Sequence, residues 1–315
     1  MIQNYKKVDG EIVALEKAEP GCWINITPPF THEELEEVAA DYDIPLDFLT
    51  DSLDIDERSR YEKEEDVRLI VLNTPIKNDF QSEIASFYVT IPIGLILTID
   101  NIITISSHKN VVVDTFVNNA VKNFDPSDEC QFVLQIFEQT VLHYLRCLKQ
   151  LNLKRNLIEK ELYDSSRNKE LKDLLSIEKS LVFFVNSLSS NELLKMKMKR
   201  TDFLRIRDDE DLTDFFEDII IDNSQALEMA NVYTNILNGT MDSYSSIISN
   251  NLNMVIQRLT LVTIILMVPT LVASFFGMNV PLPFDRSNGA FIAIIVISAL
   301  ISLLIAWYFQ RKRLF

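Results

Sequence analysis

Two long uncharged stretches dominate the pattern of apolar and polar positions, and both lie near the C-terminal end. Residues 259–276 are 18 residues without a charged side chain, and residues 290–309 are another 20. A helix needs about 20 apolar residues to cross the hydrocarbon core of a bilayer. The pattern predicts two membrane-spanning helices. The alternative, a pair of buried helices in a soluble fold, is disfavoured because uncharged runs of this length are rare there.

The preceding part of the chain has a helical pattern. No proline occurs between Pro126 and Pro269, and apolar residues recur at intervals of three and four. Helices are predicted at about 128–165, 168–200 and 209–276, the last continuing into the first membrane span. A helix of that length measures ~100 Å. Alone it would leave an apolar stripe uncovered, which favours an oligomeric bundle.

The N-terminal part has a mixed pattern. Strands are predicted at 67–72, 84–91, 95–99 and 102–105, the last two joined by a turn at Asp100 and Asn101. Short helices are predicted at 31–41, 45–53 and 110–123. Thr31 followed by Glu34 is the pattern of a capping box at the start of the first helix.

These elements predict a fold class: an α+β cytoplasmic domain followed by long helices and two transmembrane helices. The predicted parts are a cytoplasmic α/β domain at 1–126, a cytoplasmic antiparallel helix pair at 127–208, a stalk helix at 209–276 whose membrane span begins at about 255, an outer loop at 277–289, a second transmembrane span at 290–310, and a basic cytoplasmic tail at 311–315.

Charge separates the two ends of the chain. The whole chain carries −16, whereas residues 259–315 hold four bases and one acid, or +3, which leaves −19 on residues 1–258. So acidic a body argues against nucleic-acid binding. Arg258 precedes the first span and three bases follow the second, so the positive-inside rule predicts that both ends are cytoplasmic. Three cysteines and three histidines are too few and scattered for a disulfide framework or a zinc site.

A short motif stands at the predicted outer end of the first span. Phe276 is followed by Gly277, Met278 and Asn279, and then by a short loop, a second span and a basic tail. This arrangement, which covers nearly the whole chain, resembles the CorA family of divalent-cation channels. The resemblance implies uptake of Mg2+, and of Co2+ or Ni2+ in many members, by a funnel-shaped homopentameric channel.

The resemblance implies that the triplet Gly277, Met278 and Asn279 forms the outer mouth of the pore. Asn279 would present a ring of five amide oxygens. Mg2+ gives up its water reluctantly, so neutral oxygens that bind its hydration shell suit a first contact. A thioether is a poor ligand for a hard cation, so Met278 is interpreted as packing. Gly277 would permit the turn that ends the helix.

The resemblance also implies which residues line the pore. The family's pore positions correspond here to Asn253, Ile256, Leu259 or Thr260, Met267 and Thr270. Their spacings are mostly three and four residues, as on one helix face. Thr270 would offer a hydroxyl to a hydrated ion, the apolar members would form constrictions, and Asn253 would be a polar collar.

Two features depart from the family pattern. Pro269 comes one position later than in the commonest arrangement, so the register of the pore face can shift by one residue. The usual acidic residue soon after the triplet is absent, and Asp285 is the acid that the loop offers.

Relatives bind regulatory Mg2+ between neighbouring cytoplasmic domains. The resemblance nominates Asp66, with help from Glu65, and Asp218 as the regulatory carboxylates. Mg2+ bridging them would link subunits and favour a closed state. Solvated surface charge is the alternative for both residues.

The predicted function is a Mg2+ uptake channel in the inner (plasma) membrane, closed by intracellular Mg2+. Mg2+ is then both cargo and regulator, and the partners are other copies of the chain, the lipid bilayer and divalent cations. One alternative is a Zn2+, Co2+ or Ni2+ transporter of the same superfamily. Another is a membrane-anchored helical sensor or scaffold that does not conduct. No P-loop, GxSxG or HExxH motif suggests an enzyme.

Overall fold

A computed structural model describes residues 1–79, 86–164, 168–278 and 289–312. The chain divides into two compact units, Met1–Thr240 and Met241–Phe315. The strands are β1 (Ile2–Val8), β2 (Glu11–Leu15), β3 (Trp23–Ile26), β4 (Arg60–Glu64), β5 (Val67–Lys77), β6 (Tyr88–Leu97) and β7 (Ile102–Ser106). The helices are α1 (His32–Asp41), α2 (Leu46–Asp51), α3 (Val111–Val117), α4 (Glu129–Asp164), α5 (Asn168–Thr201), α6 (Glu210–Phe276) and α7 (Ala290–Arg311).

The first unit contains a seven-stranded sheet in the order β2-β1-β3-β7-β6-β5-β4. All neighbouring strands are antiparallel except β3 and β7, which are parallel. The mixed α/β interpretation is confirmed, but the sequence did not predict β1, β2, β3 and β4. Three of these are half-exposed or exposed along much of their length, so they lack the apolar runs that mark β5 and β6.

The predicted strands at 84–91 and 95–99 were wrong in dividing one strand. The structure has a single ten-residue strand, β6, which crosses Pro92 and Gly94. Residues 84 and 85 lie outside the described residues. Pro92 pairs with Asn73 of β5, and β7 already ends opposite Ile93. The missing N–H of Pro92 therefore costs the sheet little, although proline and glycine normally indicate the end of a strand.

Helices α1 and α2 cover one face of the sheet. The capping box of α1 is present. Thr31 Oγ1 accepts from the Glu34 N–H at 3.2 Å, and the Glu34 carboxylate accepts from the Thr31 N–H at 2.8 Å. Helix α2 approaches the sheet so closely that a Cβ at Gly94 would lie 2.1 Å from Ser52 Oγ. Glycine in the middle of β6 is thus explained by the close packing of α2.

An aromatic cluster fills the opposite face. The Trp23 ring of β3 contacts the rings of Phe116 in α3, Phe124 in the segment before α4, and Phe132 in α4, at centroid distances of 5.3–6.3 Å. The predicted helix at 110–123 proved too long, since α3 ends at Val117 and Asn119 adopts a left-handed conformation.

The long helices agree with the sequence interpretation. Predicted bounds of 128–165, 168–200 and 209–276 compare with Glu129–Asp164, Asn168–Thr201 and Glu210–Phe276. Helix α5 also closes the edge of β5 where β4 has ended. The Asn191 side chain accepts from the Asn73 N–H at 3.1 Å and donates to the Asn73 carbonyl at 2.8 Å. It thereby replaces the missing strand for one residue.

Among the described residues, two helices are long and apolar enough to cross a membrane, within Glu210–Phe276 and Phe291–Arg311. In the second unit, the end of α6 and the whole of α7 expose most of their apolar side chains. Such surfaces are expected where lipid or further copies of the chain supply the contacts.

Candidate functional site

One face of α6 is covered by α7. In the second unit Leu261 is 7% exposed, and Ile265, Val268 and Val272 are half-buried. On α7, Ser298 is buried and Ser302 is half-buried, and the Ser302 hydroxyl donates to the Ile265 carbonyl at 3.3 Å. The two helices therefore touch along this face.

Most of the residues predicted to line a pore point away from this covered face of α6. Asn253, Ile256, Leu259, Thr260, Met267 and Thr270 are all exposed. Residues of an α-helix are separated by about 100° around its axis. Ile256, Met267 and Thr270 accordingly point roughly opposite to Leu261 and Ile265. Within one chain, α7 leaves the predicted pore face free.

The threonine hydroxyls of this face donate their protons to backbone carbonyls of α6. Thr260 Oγ1 donates to the Ile256 carbonyl at 2.9 Å, and Thr270 Oγ1 donates to the Leu266 carbonyl at 3.0 Å. A hydroxyl that donates its only proton to the helix keeps lone pairs available as acceptors. An oxygen in this state suits a cation or the hydrogens of its bound water.

The proline in α6 leaves a backbone carbonyl without its helical donor, and a side chain of α7 supplies another donor. Pro269 has no N–H, so the carbonyl of Ile265 four residues earlier loses its helical donor. The Ser302 hydroxyl bonds to that same carbonyl. In a hydrocarbon environment such replacement bonds are how proline-containing helices keep their backbone groups paired.

The helix ends at the predicted triplet. The Gly277 N–H bonds to the Ala273 carbonyl at 2.9 Å, and the Met278 N–H bonds to the Phe275 carbonyl at 3.4 Å. The backbone of Gly277 is not left-handed. A Cβ there would lie 3.3 Å from the Ala273 oxygen. Glycine is therefore favoured here by limited space and not by an unusual φ. Asn279 and Asp285 lie outside the described residues.

The predicted regulatory carboxylates are both on the surface of the first unit. Asp66 is the second residue of a two-residue turn between β4 and β5, and Glu65 before it has a φ of 49°. Asp218 is exposed on α6, next to Glu217, which pairs with Lys199 of α5.

Neither carboxylate is neutralised by a described neighbour. Across the described ranges, no basic group lies within ion-pair distance of Asp66 or Asp218. Arg68, the base nearest to Asp66 in the sequence, is held by Glu129 at 2.7 Å. The part of the chain that the structure describes contains no group of three or more His, Cys, Asp or Glu residues arranged to hold a metal.

The family described as CorA-like Mg2+ transporter protein matches residues 19–312 of the chain. The chain belongs to the CorA family. The resemblance based on the Gly-Met-Asn triplet and the two C-terminal spans is thus confirmed. The α+β domain, long helices and paired apolar helices are the architecture of a CorA-family protein.

Two CorA relatives match over most of their length. The cobalt/magnesium transport protein CorA of Methanocaldococcus jannaschii is 26% identical over 296 residues, which are 92% of this chain and 90% of that protein. The cobalt/magnesium transport protein CorA of Thermotoga maritima is 21% identical over 319 residues, covering 99% of this chain and 88% of that protein.

A solved structure has the same fold. The complete CorA magnesium transporter from Methanocaldococcus jannaschii superposes with a TM-score of 0.81 at 23% identity, covering 99% of this chain and 98% of that one. The fold class predicted from the sequence is therefore confirmed for a single chain.

Sequence reasoning missed two polar residues in this CorA-family chain. Ser302 lies within an uncharged run, and only its pairing with the carbonyl freed by Pro269 reveals its role. Lys195 is fully buried on α5, where its spacing from Leu188, Asn191 and Met198 places it among core positions. That helical spacing was a signal that the sequence already contained.

Proposed function

We propose that this chain is the subunit of a channel that carries Mg2+, and also Co2+, across the inner membrane into the cell. The observation that carries the proposal is the free face of α6, with Ile256, Met267 and Thr270 exposed on the side away from α7. Membership of the CorA family and the names of the two relatives support a divalent cation as the cargo.

The proposed assembly is a homopentamer. Five copies of α6 would turn their free faces to a common axis, and five copies of α7 would form an outer ring. This arrangement would bury the exposed apolar residues of α6 against neighbouring chains and the remaining ones against lipid. It would also give each α6 the support that a helix of 67 residues lacks alone.

The proposed path has a polar mouth and apolar constrictions. Asn279 would supply a ring of amide oxygens that binds the hydration shell of Mg2+, next to Gly277 and Met278. Thr270 would accept hydrogens of ion-bound water, since its own proton is given to Leu266. Met267, Leu259 and Ile256 would form dry narrow points, and Asn253 would end the path.

Transport requires no enzymatic reaction in this proposal. With both chain ends in the cytoplasm, an inside-negative potential of 100 mV favours entry of a divalent ion by ~4.6 kcal/mol. Arg258, Arg311 and Lys312 flank the spans on the proposed cytoplasmic side, as the positive-inside rule requires.

The proposed regulation uses the unpaired carboxylates. Asp66 of one subunit and Asp218 of its neighbour would hold intracellular Mg2+ between them and favour the closed state. Both are exposed and form no ion pair with any described residue, which leaves both available to a cation from solution. A ligand changes a two-state equilibrium only through its difference in affinity, which a site formed between two subunits provides.

Flux into proteoliposomes tests the proposal. Wild-type protein should admit Mg2+ and Co2+ down their gradients, and Ni2+ and Zn2+ measured in parallel would report the alternative cargoes. Asn279→Ala should reduce Mg2+ flux at least tenfold, because the ring of oxygens is removed. Asn288→Ala, in the same loop, is the matched control and should leave flux within about twofold. Absence of divalent flux in the wild type would favour the non-conducting sensor instead.

A further inference from the structure

A lysine is buried in the helical part of the first unit. Lys195 of α5 is 0% exposed, as are Leu188 and Asn191 on the same face of the helix. Lysine is almost never fully buried without a charged partner. A side chain in this position therefore needs a physical reason.

Among the described residues, the Lys195 ammonium group has one hydrogen-bond partner. Lys195 Nζ donates to Asn223 Oδ1 of α6 at 2.7 Å, and the Phe137 ring of α4 lies 5.5 Å from it. Asn223 is itself 0% exposed, and its amide nitrogen donates to the Leu188 carbonyl at 3.0 Å. Lys195 and Asn223 thus form a fully buried polar joint between α5 and α6.

Charged groups near the joint are engaged elsewhere. Glu192, one turn earlier on α5, attracts the Lys195 ammonium, but its carboxylate accepts the hydroxyl of Ser224. On the other side, Lys199 pairs with Glu217 of α6. Helix α4 contributes the Phe137 ring and α6 the Asn223 amide. No carboxylate of the described residues lies within 4 Å of Lys195 Nζ.

Burial changes the protonation of this amine. Desolvation lowers the pKa of Lys195 from 10.5 to about 7, with partial compensation from Glu192. An amine with that pKa is roughly nine-tenths charged one pH unit below it and one-tenth charged one unit above. An ordinary lysine is fully charged throughout this range.

We propose that Lys195 is a proton-responsive positioning residue, which holds α6 against α5 as a neutral amine and loosens that joint when it is protonated. The neutral amine fits a fully buried interface and still donates to Asn223. The charged form requires water or a counter-ion that the packed helices do not supply. Acidification then frees the cytoplasmic part of α6.

One consequence rests on the proposed function. Asp218 precedes Asn223 by five residues on α6, so the joint fixes the position of this candidate regulatory carboxylate. When Lys195 is charged, Asp218 is held less firmly and intracellular Mg2+ binds less well. Cytoplasmic acid should therefore weaken inhibition by Mg2+.

The first test does not depend on transport. Thermal unfolding of the full-length protein in detergent is measured from pH 6 to pH 9. The unfolded state binds more protons than the native state between the native pKa of about 7 and the ordinary value of 10.5, so the joint adds stability as the pH rises. Wild-type protein should gain on the order of 5 °C in midpoint from pH 7 to pH 9, relative to Lys195→Met.

Two further variants make that comparison decisive. Lys197→Met removes an exposed lysine of the same helix and should retain the wild-type pH slope. If Lys195→Met fails to fold, Lys195→Gln provides the same comparison with a neutral polar side chain. An identical pH slope in wild type and the Lys195 variant would overturn the inference.

The second test measures regulation. The concentration of internal Mg2+ that halves flux should rise roughly fivefold in wild type from pH 8.0 to pH 6.5, a typical coupling between two sites. In Lys195→Met the change should stay below about twofold. If the wild type conducts no Mg2+, the proposed function fails. The pH dependence of unfolding still tests the Lys195 inference in that case. If regulation persists with an unchanged pH response in Lys195→Met, only the Lys195 inference fails.

Discussion

The Ser302 hydroxyl of α7 donates to the Ile265 carbonyl of α6, at 3.3 Å. That carbonyl has no helical donor, because the residue four positions later is Pro269. A serine in one predicted membrane helix thus repairs the backbone defect that a proline leaves in the other. The bond lies on the face where the two helices meet, and the opposite face of α6 stays free.

Replacing Ser302 should weaken this helix pair. Ser302→Ala leaves the Ile265 carbonyl without a donor in an apolar environment, at a cost of about 0.5–2 kcal/mol. Thermal unfolding of the detergent-solubilised protein measures the loss. Ser298→Ala is the matched control on the same face, since that hydroxyl bonds within α7 to Ile295.

A double-mutant cycle isolates the bond. Pro269→Ala restores an N–H for Ile265, so Ser302→Ala should then cost less than half of its value in the wild-type background. Equal costs in both backgrounds would mean that Ser302 does not compensate for Pro269.

The free face of α6 predicts a pattern of accessibility. Met267→Cys, labelled with a cationic thiol reagent, should lose divalent flux about tenfold or more through repulsion in the pore. Val262→Cys is placed nearer to the α7 side of the helix and should lose less than twofold when labelled. Both are compared with unlabelled protein, and the effect of the reagent on Cys22, Cys130 and Cys147 is measured in wild type. Equal block at both positions would contradict the proposed pore face.

The unpaired carboxylates predict a loss of regulation. Asp66→Asn combined with Asp218→Asn should abolish inhibition by millimolar internal Mg2+ while leaving initial flux intact, because neutral amides do not attract a hard dication as carboxylates do. The readout is flux against internal Mg2+ in proteoliposomes. Glu62→Gln with Asp222→Asn alters one exposed and one half-buried acid nearby and should retain inhibition. Retained inhibition in the first pair would identify both aspartates as surface charge.

A buried network in the sheet predicts a stability effect without a transport effect. Thr104 Oγ1 accepts from Trp23 Nε1 at 2.8 Å and donates to Asn25 Oδ1 at 2.9 Å. Thr104→Val keeps the shape of the side chain but leaves both partners unpaired, which should lower the free energy of unfolding by about 2–4 kcal/mol. Denaturant unfolding measures it. Thr104→Ser retains the hydroxyl and should cost about 1 kcal/mol through one lost methyl group.

Much of the fold could be read from local patterns. The capping residues Thr31 and Glu34, the uncharged runs and the long proline-free region predicted α1, both apolar helices and α4, α5 and α6 within a few residues. Such features depend on neighbours in the sequence, so they can be recognised without tertiary structure. The triplet ending at Asn279 identified the family for the same reason.

The strands were harder to predict. Strand β6 was divided in two because Pro92 and Gly94 look like breaks, whereas the end of β7 and the approach of Ser52 make both residues acceptable. Strand β4 has no buried residue, so its pattern does not distinguish it from a loop. Its pairing with β5 decides its conformation.

The sequence by itself determined that this CorA-family protein has an acidic body and two apolar helices, with the motif at the end of the first. Charge, hydropathy and helical period are properties of residues near one another in the chain. Only the tertiary structure decided that Ser302 supports Ile265, that Lys195 depends on Asn223, and that α7 leaves one face of α6 free. These are contacts between residues on different helices, and burial and hydrogen bonding arise only when packing brings such residues together.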